Sequence, residues 1–361
     1  MKKIVLFINS MAQSGGIERV TATLSNIFVN QGHDVTIVVI EKDTSCFYSL
    51  DDRVKVQSLM IEPFKNKVAA VSYYIKAIVR FRKCIKDARP DIIMAIWTNR
   101  ALMSIIANYG LKAKVICCEH IAYRELRLAL RIVRPLFYRH AAAVVSLTQN
   151  DVKYYEKIND TVAVIPNPIP EINLPEEKRR KVILAVGRLV PQKGFDLLLR
   201  IWKQIHEKYP EWRLVIIGHK LTRYEKYANA LYGYVKSNNM GKSVDFHDHT
   251  TKIYECYKRA SIYAMTSRYE GLPMVLLEAM RCGLPVVSYD CPTGPREIIK
   301  DGITGELVTN GNEAEFIDKL CGLMNNEKQR ARIGREASKD IQQGYSSEAV
   351  YKKWENLFES I

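Results

Sequence analysis

The sequence is most informative at first for what it lacks. No stretch approaches the ~18 consecutive apolar residues that a membrane span requires. The eight cysteines (Cys46, Cys84, Cys117, Cys118, Cys256, Cys282, Cys291, Cys321) contain no CxxC pair, so reduced thiols in a cytosolic protein are expected. No glycines spell GxGxxG, so the nicotinamide and flavin fingerprint is missing. No long low-complexity tract points to disorder. No RNP-like aromatic motif, zinc-finger spacing or helix-turn-helix signal is present, so nucleic acid is not an expected partner. The apolar run after Lys2-Lys3 spans only about six residues, without a small-residue cleavage site, and reads as a buried strand rather than a secretion signal. His33, His140, His206, His219, His247 and His249 form no metal-ligand spacing with acids or thiols; the tight His247-Asp248-His249 cluster is not read as a metal site.

What remains is a chain of 361 residues, too long for one core of ordinary size, with 47% hydrophobic residues, enough to give each of two domains a core. The net charge is +15, and residues 1–168 hold 24 Lys and Arg against 14 Asp and Glu. Such an excess in one half suits an anionic membrane or a phosphorylated ligand.

The apolar pattern alternates between two periods. KKIVLFIN reads as a strand covered on both faces, IERVTATLSNIFVNQGH carries helical spacing of Ile17, Val20, Leu24 and Phe28, and VTIVVIE is a second buried strand. This is the β-turn-α-β opening of a parallel α/β domain. VAAVSYYIKAIVRFRKCIKDARP reads as a long basic helix, and DIIMAIW, KVICCEH and AAAVVSLT as further strands. Residues 162–180 hold Pro166, Pro168, Pro170 and Pro175 and are read as the interdomain linker. A second series follows, with strands KVILAVG, WRLVIIG, SVDFHD, SIYAMTS and LPVVSYD separated by helices, and a terminal helix AVYKKWENLFESI. The expected fold is α/β, two Rossmann-like domains in tandem. That architecture binds ligands beyond the carboxyl ends of its strands.

Five loops at such strand ends are candidate sites. SRYEGLPMVLLEAM places Glu270 and Glu278 in an otherwise apolar segment, where a buried charge demands a partner. Pro273 suits the first turn of a helix over roughly residues 273–282, closed at Gly283, whose opening amides can hold a phosphate. Carboxylates accepting bonds from sugar or ribose hydroxyls explain both acids; a capping Glu and a Glu paired with a buried Arg explain them equally. In GRLVPQKG, Arg188 and Lys193 make a plausible diphosphate clamp, with plain solvated cations as the alternative. In QSGGIER, Gly15 and Gly16 permit close approach to the backbone, or simply a tight turn. His120, closing KVICCEH, is placed to donate to a developing negative charge or to position a hydroxyl, or is structural. In CPTGPREII the backbone of Gly294 can reach a ligand.

The order of these segments resembles glycosyltransferase family 4, the retaining enzymes of the GT-B fold, in which two Rossmann-like domains face each other across a cleft. E-x7-E in EGLP…EAMRCGLPVV, GPREII-DG-TGELV, GR-x4-KG in GRLVPQKG, SGGIERV and CEH carry the resemblance over nearly the whole chain. It implies an acceptor-binding domain over 1–168, a nucleotide-sugar domain over 169–345, and a terminal helix, 346–361, packing back on the first domain. It also implies roles. Arg188, Lys193, Gly16, Leu272 and Pro273 would bind the donor diphosphate, and Glu278 the ribose. Glu270 and His120 would be catalytic, and Gly15, Gly271 and Gly294 would line the sugar. No metal and no cofactor are implied, the cations and a helix terminus stabilising the departing diphosphate instead. One departure falls where family members carry F-x-G: here Phe246-His247-Asp248 borders the expected base site, which leaves the nucleotide open.

The basic excess has a place in this reading. Lys76, Arg80, Arg82, Lys83 and Lys86 interleave with Ile75, Ile78, Val79 and Phe81. Arg124, Arg127, Arg131 and Arg134 interleave with Leu126, Leu128, Leu130 and Ile132. Both stripes suit an anionic bilayer, though solvated helix faces would look the same. The expected function is transfer of a hexose or N-acetylhexosamine from a nucleotide sugar, taken as UDP-linked. The acceptor would be a glycan or an undecaprenyl-diphosphate-linked oligosaccharide at the cytoplasmic face of the cell membrane, in surface-polysaccharide synthesis. A UDP-sugar epimerase of the same fold and a non-catalytic nucleotide-sugar-binding partner are the alternatives.

Overall fold

A computed structural model describes residues 1–13, 15–64, 67–172, 175 and 177–361, with the backbone alone at 67 and 68. Ser14 of the glycine loop and linker residues 173, 174 and 176 lie outside the described residues. Contacts divide the chain into two units, Met1–Pro170 with Ser347–Ile361, and Glu171–Ser346.

The first unit runs β1 (Lys3–Ile8), α1 (Gly16–Asn30), β2 (Asp34–Val39), β3 (Lys55–Ser58), α2 (Lys67–Ala88), β4 (Ile92–Ile96), α3 (Thr98–Asn108), β5 (Lys114–Cys118), α4 (Leu128–Tyr138), β6 (Ala143–Ser146), α5 (Gln149–Tyr155) and β7 (Val162–Val164). Its sheet is parallel, in the order β3-β2-β1-β4-β5-β6-β7. The pleat explains the continuous apolar runs. Ile4, Leu6 and Ile8 enter the core under α1, while Val5 and Phe7 enter the core under α2, where Phe7 stacks on Phe81 at 3.9 Å.

The second unit runs β8 (Val182–Val186), α6 (Phe195–Ile205), β9 (Arg213–Ile217), α7 (Glu225–Ser237), β10 (Val244–His247), α8 (Ile253–Arg259), β11 (Ile262–Met265), α9 (Met274–Arg281), β12 (Val286–Tyr289), α10 (Pro295–Ile298), β13 (Glu306–Val308), α11 (Glu313–Asn325) and α12 (Glu327–Tyr345). This sheet, also parallel, has the order β10-β9-β8-β11-β12-β13. In each sheet the order reverses beside the first strand, between β1 and β4 and between β8 and β11. Loops diverge at that point, which opens a crevice for ligands.

The chain ends in α13 (Ser347–Ser360), which belongs to the first unit and packs against α1. Trp354 and Phe358 lie edge-on and tilted against Phe28, with centroids 6.1 and 5.6 Å away. Three strands differ from the expectation, one of them β13, the edge strand beside β12 that the pattern of the second series does not show. Val162–Val164, expected in the linker, is the edge strand β7, paired with β6; three half-buried residues next to a proline cluster leave no periodic signal. β3, reading KVQS, escapes for the same reason, since it alternates exposed and half-buried positions at the opposite edge.

Trp354→Ala removes a side chain 3% exposed from the α1–α13 seam. It should cost about 3–5 kcal/mol, read as a lower denaturant midpoint for the transition of the first unit.

Candidate active site

In the second unit, the loops leaving β8, β11 and β12 are bonded into one block at the carboxyl edge, around the strand-order reversal. Lys193 Nζ donates to Glu270 Oε1 at 2.7 Å, and the two side chains are 15% and 7% exposed. The Arg268 amide donates to the Gln192 carbonyl at 2.8 Å, and Gln192 Nε2 to the Tyr269 carbonyl at 3.0 Å. Thr266 Oγ1 donates to the Gly194 carbonyl at 2.8 Å. The Arg268 guanidinium grips both Asp196 oxygens, at 2.9 and 2.7 Å, at the start of α6, and Tyr227 also donates to Asp196. From the β12 loop, Thr293 Oγ1 donates to the Glu270 carbonyl.

The glycines of these motifs serve that packing. A Cβ on Gly194 (φ +65°) would stand 2.0 Å from the Thr266 carbonyl oxygen. One on Gly294 (φ +96°) would meet Pro273 Cδ at 2.5 Å and the Gly271 carbonyl oxygen at 2.6 Å. Only glycine lets these loops approach so closely.

Glu278 is 3% exposed and accepts from the Tyr257 hydroxyl of α8 at 3.2 Å. Tyr263, on β11, feels both acids. Burial first, then the charges of Glu270 and Glu278, hold its hydroxyl far above the ordinary tyrosine pKa. The two acids therefore border one phenol, while each answers a different donor. Leu272 and Pro273 are buried ahead of α9, which starts at Met274 and not at Pro273, with Cys282 as its cap and Gly283 at φ +67°. Arg188, by contrast, is exposed, and its guanidinium has no hydrogen-bond or ion-pair partner among the described residues. A planar guanidinium fork with no protein partner is chemically suited to a diphosphate.

The first unit carries the other predicted residues at its own carboxyl edge. Gly15 precedes α1 without a side-chain cap, and the space where its Cβ would sit holds the Glu18 carboxylate, whose pKa burial raises. Gly16 has open space on its Cβ side. His120 follows β5, in a cavity of about 10 Å³ lined by Leu24, Val145, Ile165 and Trp354 among others. Its Nε2 is buried without a partner among the described residues, and burial pushes its pKa down to about 4. At neutral pH it is an uncharged imidazole, able to donate or accept a hydrogen bond but not to offer a positive charge. Beside it, buried Glu119 accepts from Thr98 Oγ1 at 2.9 Å and from Tyr138, and burial raises its pKa.

Glu270, Glu278, Arg188 and Lys193 stand out in the sequence, but the contact of Lys193 with Glu270 and of Glu278 with Tyr257 does not. Arg268, Asp196, Tyr257 and Tyr263 were missed. Arg268 and Asp196 meet across 72 positions, which no local pattern reveals.

Two family models match the chain, one described as "Glycosyltransferase Family 4" over residues 14–171 and one as "Glycosyl transferases group 1" over residues 170–340. The chain is 31% identical to an amylovoran biosynthesis glycosyltransferase of Erwinia amylovora, covering 99% of each chain. It is 27% identical to an alpha-1,4-N-acetyl-D-galactosaminyltransferase of Campylobacter jejuni that acts on a diNAcBac-PP-undecaprenol-linked GalNAc disaccharide, covering 99% of this chain and 98% of that one. Among solved structures, Anabaena HepE in complex with UDP and glucose superposes with a TM-score of 0.81 over 100% of both chains at 17% identity, a likeness of fold.

His120 supplies a test of its burial. Because its folded pKa lies below the unfolded value near 6.5, the unfolded chain binds the extra proton. Its contribution is complete above pH 6.5 and is lost as pH falls toward 4. His120→Asn should flatten the stability-versus-pH curve in that window, measured by urea unfolding.

Proposed function

The chain belongs to glycosyltransferase family 4, with the GT-B fold, and is a glycosyltransferase of bacterial polysaccharide biosynthesis; from that premise we propose a retaining, metal-independent transfer of a hexose or N-acetylhexosamine from a UDP-sugar. The acceptor is a glycan or a polyprenyl-diphosphate-linked oligosaccharide. The observation that carries this reading is the Lys193–Glu270 pair, held by three loops at the strand-order reversal of the second unit.

The chemistry follows from the charges. As the anomeric carbon–oxygen bond breaks, its electron pair passes to the diphosphate. Lys193, held by Glu270, is the fixed cation beside that developing charge, Arg188 is an exposed one free to close on it, and the opening amides of α9, behind Leu272 and Pro273, add a partial positive charge. Glu278 holds the ribose hydroxyls. Gly16, open on its Cβ side, leaves room for a ligand to approach the start of α1, whereas Gly15 faces the Glu18 carboxylate and Gly294 serves the close packing of its loop on Gly271 and Pro273. Glu270, neutralised by Lys193, is a poor nucleophile. It serves better to orient the sugar and to stabilise the positive charge growing on its ring. The acceptor hydroxyl then attacks from the leaving-group face and passes its proton to the departing diphosphate oxygen, which retains configuration. Neutral His120 supports this as a hydrogen-bond partner to sugar or leaving group.

A second part of the reading concerns where the acceptor lies. Val71, Ile75 and Val79 of α2 are 63%, 57% and 62% exposed, and Leu128, Ile132 and Leu136 of α4 are 68%, 64% and 57% exposed, each set at i, i+4, i+8 spacing. α3 packs between these helices, so both rows belong to one helical layer of the first unit. Lys76, Lys83, Lys86, Arg124 and Arg127 are exposed around them. This surface suits an anionic bilayer. Among the described residues, no helix is long and apolar enough to cross a membrane. Arg134, expected in the stripe, is instead fully buried with its guanidinium 3.8 Å from the Tyr123 ring centroid, because α4 turns it inward against the tyrosines of the core.

Two measurements test these readings. UDP-sugars incubated with the protein should release UDP slowly to water without chelatable metal. Lys193→Ala and Glu270→Ala should each lower turnover by at least about a hundredfold with a cooperative melt retained; accumulation of an epimerised UDP-sugar would favour the epimerase. Separately, vesicles rich in phosphatidylglycerol should co-sediment the protein, and the double variant Ile132→Glu, Leu136→Glu should weaken that binding at least about tenfold. Equal binding by wild type and variant would remove the docking surface.

A further inference from the structure

Arg100 sits in the first turn of α3, beyond the carboxyl end of β4 and beside the end of β1, at the strand-order reversal of the first sheet. Its Nη2 donates to Asn9 Oδ1 at 3.1 Å, and Nη1 approaches Met103 Sδ at 3.6 Å. Tyr73 donates to the same Asn9 oxygen at 3.0 Å, and Asn9 Nδ2 donates to Glu41 Oε1 at 2.6 Å. Asn9 thus stands between the acid and the guanidinium, and Arg100 makes no ion pair among the described residues. Burial lowers its pKa, with Tyr73, Tyr74 and Glu41 opposing. Arg100 is half-buried, and three of its five N–H groups have no acceptor among the described residues, which leaves them open to a ligand. Even partial desolvation of a guanidinium is unfavourable when no bonded carboxylate offsets it. Arg134 is the fully buried arginine of this unit, and three tyrosine rings and the nearby charge of Glu119 surround it.

The backbone around Arg100 is also specified. Trp97, immediately before α3, holds φ +84° and ψ 146°, a region costly for a side-chain-bearing residue, while its amide donates to the Cys118 carbonyl at 3.0 Å. This turn sets where α3 begins, and α3 then presents Arg100 near its N-terminus, whose dipole adds to the same positive field.

We propose that Arg100 is an oxyanion-binding residue of the acceptor site, holding a phosphoryl or carboxylate group of the acceptor at the first unit's strand-order reversal. This rests on the transferase reading for the word acceptor; the anion site itself does not.

The probe is sodium pyrophosphate, with sodium glucuronate as the second arm to separate a phosphoryl from a sugar carboxylate source. Calorimetric titration is run on Arg188→Gln, Lys193→Gln protein, so that the donor cations do not compete. Saturable binding of one arm should persist there and weaken at least about tenfold when Arg100→Gln is added. Should Arg100→Gln fail to fold by circular dichroism, two other variants carry the test. Arg100→Lys keeps the charge but loses the fork and should bind a few-fold more weakly, and Glu41→Gln removes the opposing charge and should bind more tightly. Identical affinity with and without Arg100→Gln, or neither anion binding in the donor-site background, overturns the proposal. UDP release by the wild type is recorded in parallel. Its absence would sink the transferase reading while leaving the anion titration interpretable, and its presence with no Arg100-dependent binding would sink this proposal alone.

Discussion

A buried ammonium–carboxylate contact between Lys193 and Glu270 is the constraint around which the second unit is organised. Taking both charges out of water costs several kcal/mol per ion, which their attraction offsets only in good geometry with further hydrogen bonds. The structure supplies those bonds at backbone level. Arg268 and Gln192 join the first two loops in both directions, and Thr293 ties the third to the Glu270 carbonyl. Asp196 and Arg268 repeat the motif nearer solvent, at 2.7 Å and partly exposed, where the pair itself contributes little and the bidentate geometry matters more. A cation fixed in this way has little left to reorganise when the charge of a bound group changes, which is the physical content of electrostatic preorganisation.

The first unit achieves rigidity by other means. Its carboxyl edge is built from neutral or self-satisfied groups: an uncharged His120, a protonation-biased Glu119 held by Thr98 and Tyr138, and a glycine loop whose α1 terminus is covered by Glu18. Arg100 is the exception, a charge linked to Glu41 only through an amide. The second unit thus satisfies its buried charges internally, while the first leaves one guanidinium without an ionic partner among the described residues.

Surface and interior arginines show how little a charge count conveys. Arg124, Arg127 and Arg134 follow one another at helical or near-helical spacing, yet the first two are exposed and the third is enclosed by Tyr123, Tyr138 and Tyr155. Arg124 and Arg127 reach water ahead of exposed Leu128 and Ile132, while Arg134 anchors the helix that carries those leucine and isoleucine side chains.

The residue pattern alone determined the two parallel α/β units, the strand-loop-helix position of each motif, and the identity of Arg188, Lys193, Glu270 and Glu278 as chemically loaded residues. These are local properties: periods of two and 3.6 residues and breaker residues act within a dozen positions. The short edge strands β3, β7 and β13 were illegible because three or four residues, partly exposed, are too few to show the alternation that betrays a strand. Tertiary structure decided what the charges meet. Lys193 finds Glu270 across 77 positions, Arg268 finds Asp196 across 72, Tyr257 finds Glu278, and Arg134 turns inward where its neighbours do not. An ionisable group's state follows from its desolvation and its nearest opposite charge, and both are set by which loops converge in space, not by which residues are adjacent in the chain.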